Sequence, residues 1–148
     1  MLSLAQFVAI LTTTIFAGAA IYINLVEHPA RMGCSTELAA TQWAPSYRRA
    51  TFMQAPLALI GFLSGITAWW FGAGSLWLIG ALLILAVVPF TLIMIEPTIN
   101  KQLLLLPGRD LRSAETRDLL VKWGRYHAVR SVLGLIASAI FIGQVVGA

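Results

Sequence analysis

Trp123, His127 and Arg130 follow one another at intervals of four and three residues, and Glu96 and Asn100 stand four apart. On a helix each set lies along one face. Glu27 and His28 form a third group, followed at once by Pro29. In one chemistry open to these side chains, His127 is a general base toward an acidic carbon of a bound hydrophobic aromatic. Arg130 and Asn100 hold the developing oxyanion, and the carbanion reacts directly with oxygen. Trp123, Trp43 and Tyr126 would stack on such a ligand, although an interfacial aromatic belt is a competing use for them. In another, Glu27, His28, Glu96 and His127 supply ligands to a transition metal (Fe, Cu or Zn). No HxxxH or ExxH pair marks that site, so its ligands would come one or two per helix. A haem between His28 and His127 is disfavoured by Pro29, which spoils the axial geometry. The plainest alternative makes Glu96 the partner of Arg130 in a structural ion pair. The cofactor is therefore expected to be none or a bound metal.

The elements that would position these groups are membrane helices. The chain has 148 residues, 59% hydrophobic and 11% charged, with a mean hydropathy of +0.84, outside the range of soluble domains. Four uncharged runs approach the ~20 residues that cross ~30 Å of hydrocarbon. The expected fold is all-α, a four-transmembrane-helix bundle forming one integral membrane domain over 1–148. Its helices fall at about 2–26, 52–71, 75–95 and 126–147, with polar segments at about 27–51 and 96–125. No Lys or Arg precedes the first run, which reads as a retained helix rather than a signal peptide.

All six acids, nine of the ten basic residues and His28 fall in the two polar segments, and His127 and Arg130 lie just beyond the second, at the start of the fourth helix. The positive-inside rule then puts both termini outside and both segments in the cytoplasm, as in a bacterial inner (plasma) membrane. The lone Cys34 excludes an internal disulfide and fits the reducing side. A sequence pI near 9.8 reflects these topogenic charges and an affinity for anionic lipid, not nucleic acid.

"TELAATQW" reads as a short interfacial helix. The segment before the fourth span has a better start, with Ser113 or Asp110 as cap and Glu115 and Asp118 at the positive end of the dipole. Pro29 and Pro97 are expected to push His28 and Glu96 toward extended backbone and to break or kink the helices there. "VEHPAR" with "IEPTIN", and "WAPSYRRA" with "WGRYHAVR", form a faint internal repeat that suggests two tandem helical hairpins. Gly61-xxx-Gly65 and Gly143-xxx-Gly147 offer close helix contacts, within the bundle or in a homo-oligomer. With the helices bundled, Asn24, Glu27, His28, Tyr47, Gln54, Glu96, Asn100, Trp123, His127 and Arg130 meet at one end, as a polar pocket open to the cytoplasm.

The series "AGAAIYINLVEHPAR", a Tyr-Arg pair, "EPTINKQL" and "WGRYHAVRSVLG" resembles a family of small four-helix membrane proteins that includes the anthrone oxygenases. The resemblance spans nearly the whole chain and is most specific in Pro97 to Asn100 and in Trp123, His127 and Arg130. It implies conversion of an anthrone to an anthraquinone with molecular oxygen, although many bacterial relatives have no assigned activity. His28, Pro29, Asn100, Trp123, His127 and Arg130 fall on the family pattern. Glu96 departs from it and strengthens the metal reading for this chain.

A non-enzymatic membrane subunit or small transporter is the rival from another class. Transport normally needs polar residues near the bilayer centre, where the second and fourth spans are nearly bare.

Overall fold

The computed structural model describes residues 1–104, 108 and 110–147. Residues 105–107 and 109, including the basic Arg109, and the terminal Ala148 lie outside the described residues. Four helices carry the fold: α1 (Leu2–Met32), α2 (Thr36–Trp70), α3 (Ser75–Leu104) and α4 (Ala114–Val146). All are long and apolar enough to cross a membrane, and the described residues contain no strand. Each helix packs on its neighbours in chain order, and α1 meets α4 to close a four-membered ring with few contacts across the α2–α4 diagonal. The chain is therefore an all-α bundle with the dimensions of a multi-pass membrane protein.

The helices run further than the apolar runs predict. Ser35 caps α2 by accepting from the Leu38 amide, so "TELAATQW" is the opening of a 35-residue helix and not a separate interfacial one. At 1.5 Å per residue α2 is ~52 Å long, well beyond the hydrocarbon, and its polar first turns project from it. Ser113 caps α4, accepting from the Thr116 amide at 3.1 Å, with Glu115 in the first turn. Charge marked these stretches as lying outside the spans, and their helix formers and serine caps make them continuous with the spanning helices where water can solvate the exposed face. Arg117 of α4 donates to the Met32 and Cys34 carbonyls and so satisfies the end of α1. Outside the spans, Arg112 donates to Glu37 at 2.8 Å, and this carboxylate holds the guanidinium above its ordinary range.

Pro29 and Pro97 do not break their helices, contrary to expectation. His28 keeps helical backbone at φ −68°, ψ −44°. The chain widens instead into a π-helical turn, Ile23–Glu27 in α1 and Thr91–Asn100 in α3. A proline ring collides with the carbonyl four residues back, which is Leu25 or Ile93 here, and each falls within the widened stretch that makes room for it. Both π segments lie at the end of the bundle where the polar residues gather.

Packing in the bundle explains one glycine pair. A Cβ on Gly61 would lie 2.6 Å from Thr13 Oγ1 of α1, and one on Gly65 would lie 2.8 Å from Phe141 of α4, so this pair seats α2 against its own bundle. Gly143 has open space around it. Between α2 and α3, Gly72 and Gly74 take φ of +86° and +101°, conformations that favour glycine. The core runs from a Trp77–Phe141 stack at one end to buried Trp43, Ile95, Ile99, Leu120 and Trp123 at the other. Leu4, Phe7, Leu11, Ile15, Leu59, Leu82 and Leu135 point outward, as lipid-facing positions would.

Candidate functional site

The polar side chains do converge on one end of the bundle, in three assemblies, the first two of which touch where Arg31 Nη1 lies 3.4 Å from His28 Nδ1. The first joins α1 to α2. Glu27 Oε1 accepts from Arg31 at 2.5 Å, from Gln42 at 3.3 Å and from the Ser46 hydroxyl, while Arg31 also donates to Gln42. Arg31 is buried and sits 5.9 Å from the Trp123 ring. This answers why an apolar helix ends in charge: Glu27 is the acceptor that neutralises a buried arginine and ties two helices together.

The second assembly joins α1 to α4. Asn24 Nδ2 donates to the Gly124 carbonyl at 3.0 Å, which turns Oδ1 toward His127 Nδ1 at 2.6 Å and the Ser131 hydroxyl at 2.6 Å. An amide oxygen accepts, so His127 Nδ1 carries a proton there and donates it to Asn24. His28 approaches α4 at Gly124, where a Cβ would stand 2.5 Å from His28 Nε2. His28 and His127 both pack on the Trp123 indole, at 5.2 and 4.8 Å between centroids. His28 has Nε2 against Gly124 and Nδ1 3.4 Å from Arg31 Nη1, so its ring nitrogens do not fit bis-histidine haem ligation.

The third assembly joins α2, α3 and α4. Tyr47 donates to Glu96 Oε2 at 2.9 Å and Asn100 donates to the same oxygen at 2.7 Å. Arg130 Nη2 donates to Gln54 Oε1 at 3.0 Å. Glu96 and Arg130 therefore each bond elsewhere, and no ion pair joins them. Both border one cavity of about 280 Å³, otherwise walled mainly by Phe16, Ala55, Ala58, Val87, Val88 and Leu92. The widened turn of α3 brings Glu96 to this space, and the seven-residue step from Tyr47 to Gln54 puts both on one face of α2.

Of the residues singled out from sequence, Tyr47, Gln54, Glu96 and Arg130 line the cavity, and Asn100 reaches it only through its bond to Glu96. His127 lies one turn from Arg130 but is held in the second assembly. Trp43 and Trp123 are buried against each other at 5.8 Å rather than standing as an open stacking surface. Tyr126 packs on Phe90 and Lys122. Glu27, His28, Glu96 and His127 do not form one ligand set: no three His, Cys, Asp or Glu side chains gather in metal-binding positions among the described residues. With Glu27 and Glu96 each engaged by protein donors, the residues present do not fit the metal site.

Gln54 and Asn24 shape two of these assemblies; sequence reasoning placed both at the polar end of the bundle but assigned neither to catalysis, substrate binding or a ligand set. A signal existed for both. Gln54 is a lone amide two residues into an apolar run, and Asn24 is another in a stretch without charge.

A family model described as anthrone oxygenase matches residues 43–140, a segment that holds Tyr47, Gln54, Glu96, Asn100 and Arg130. The anthrone oxygenase tpcL of Aspergillus fumigatus is 28% identical over 153 aligned residues, which cover 96% of this chain and 93% of that one. No solved structure matches.

Proposed function

We propose, from the premise that this chain belongs to the anthrone oxygenase family, that it is a membrane-embedded oxygenase acting on a hydrophobic aromatic ketone without a metal. The observation that carries the reading is a carboxylate and a guanidinium, each bonded to other partners, on the walls of one mainly apolar cavity. A volume of about 280 Å³ is near the lower end of ligand pockets, roughly 300–1,000 Å³, and suits a compact fused-ring molecule.

The chemistry follows from these groups. Glu96 takes a proton from the ring CH₂ opposite the substrate carbonyl. The electron pair left behind spreads to the carbonyl oxygen, where Arg130 stabilises the enolate. Tyr47 and Asn100 both hold Oε2, which fixes the carboxylate and leaves Oε1 without a hydrogen-bond partner, free to accept the proton. Molecular oxygen accepts the electrons of the ring carbon, a carbon–oxygen bond forms, and the peroxide takes up a proton. Loss of the second C–H proton with cleavage of the O–O bond releases water and leaves the second carbonyl. One oxygen molecule is consumed for each quinone and each water. His127, fixed by Asn24 and Ser131, holds α4 and with it the register of Arg130.

The cavity opens between α2 and α3 at Thr51, Ala55 and Leu92, side chains exposed on the lipid-facing surface, which supports entry of substrate from the bilayer. The distribution of Lys and Arg supports a cytoplasmic location for this end of the bundle. The test is the replacement Glu96→Gln, which keeps the shape and removes the base. Turnover of anthrone in air should fall about 10²–10⁴-fold, and an unchanged rate would refute the assignment.

A further inference from the structure

Gln54 is almost completely buried, at 1% exposure, yet its Nε2 has no hydrogen-bond partner. Arg130 Nε is buried without a partner as well. The orientation of the amide is not in doubt. Arg130 Nη2 donates to Gln54 Oε1, and a flipped amide would set two donors against each other. Two donor groups on bonded, cavity-lining side chains are thus left over in a low-dielectric interior, where leaving a hydrogen bond unmade carries a free-energy cost. Such a cost is offset when an acceptor arrives from outside. Glu96, on the wall of the same cavity, bonds to Tyr47 and Asn100 and not to Gln54 or Arg130.

We infer that Gln54 is a substrate-binding residue: its amide donates to an oxygen of the bound aromatic beside Arg130, and so selects oxygenated ring systems over plain hydrocarbons. The inference rests on the cavity being the substrate site, as proposed above, and concerns binding, not turnover. The cavity then has a polarity of its own. Gln54 and Arg130 donate at one side, Glu96 accepts at another, and apolar residues cover the rest, which fits a flat molecule with a carbonyl or phenolate oxygen on one edge and an acidic C–H elsewhere. A site built to hydrogen-bond an oxygen rejects the analogue that lacks it far more strongly than an apolar wall rejects an added methylene.

The experiment is equilibrium binding under argon, with the protein in phosphatidylcholine nanodiscs and two probes, anthrone and its oxygen-free analogue dihydroanthracene. Wild-type protein should bind anthrone about tenfold more tightly or better. Gln54→Glu keeps an acceptor for Arg130 and deletes the donor, and Gln54→Met does the same for shape without adding charge. Both should bring the affinity for anthrone down toward that for dihydroanthracene, with dihydroanthracene binding changed less than about twofold. A preference for anthrone that survives in both variants would overturn the inference, as would equal binding of the two probes by the wild type. Because oxygen is absent, a protein that shows the preference but never turns anthrone over in air would refute the oxygenase reading while leaving the role of Gln54 standing.

Discussion

A carboxylate among membrane helices is stable only if protein groups replace the water it has lost, and Glu96 has two such donors on a single oxygen. Glu27 also takes its donors on a single oxygen, Oε1, but they include the charged Arg31, so it serves structure as a counter-charge, whereas Glu96 has only the neutral donors Tyr47 and Asn100. The contrast has a measurable consequence. Glu27→Gln should lower the melting temperature in detergent because it strips the counter-charge from buried Arg31, whereas Glu96→Gln should lower turnover and leave melting nearly unchanged. His127→Ala removes a buried ring and one partner of Asn24, and should destabilise the bundle by about 2–4 kcal/mol, read as a fall in melting temperature. Arg130→Lys retains charge but not the planar fork, and should reduce turnover about tenfold or more while the protein stays folded; wild-type kinetics would remove Arg130 from the oxyanion role. At this scale the spacing of Trp123, His127 and Arg130 was legible because it is local. The pairings of Asn24 with His127 and of Gln54 with Arg130 were not, because each joins residues more than seventy positions apart and depends on which helices become neighbours.

The prolines matter for what they do to the turns before them. A π-helical turn advances more residues per revolution than an α-helical one, so it shifts the facing of every side chain beyond it. In α3 the stretch Thr91–Asn100 carries Glu96 and Asn100, and it supports Glu96 at the cavity wall. Pro97→Ala restores a backbone donor and removes the ring clash, which favours a return to α-helical winding and turns Glu96 away from the cavity. The variant should melt at the same temperature or higher, yet lose turnover about tenfold or more; unchanged activity would show that the π segment does not position Glu96. Sequence reasoning marked both prolines as points of irregularity and missed the kind. A lone chain does not reveal whether the neighbouring helices will hold a widened turn together. The serine cap of α4 was legible for the opposite reason: Ser113 bonds within three residues, and no distant partner has to be known.

Across the whole molecule, hydropathy alone was enough for four spanning helices, since little else puts such apolar runs in 148 residues. It did not reveal how far the helices project, because charged helical turns and charged loops look alike by composition. The ring of four helices leaves the cavity flanked by α2 and α3, with its exposed wall on the lipid side, so a bulky side chain there should act as a plug. Ala55→Trp should slow turnover about tenfold without lowering melting. Orientation is open to the single cysteine, which is exposed on the turn after α1. A membrane-impermeant maleimide should label Cys34 in inverted vesicles and spare it in sealed, right-side-out ones; the reverse pattern would invert the topology. The measurement that bears most directly on the account is oxygen uptake by the purified, nanodisc-embedded protein given anthrone, run beside Glu96→Gln. The account predicts one oxygen consumed per quinone formed by the wild type, and a rate lower by about 10²–10⁴-fold in Glu96→Gln although anthrone still binds. Equal oxygen uptake by the two proteins would contradict it.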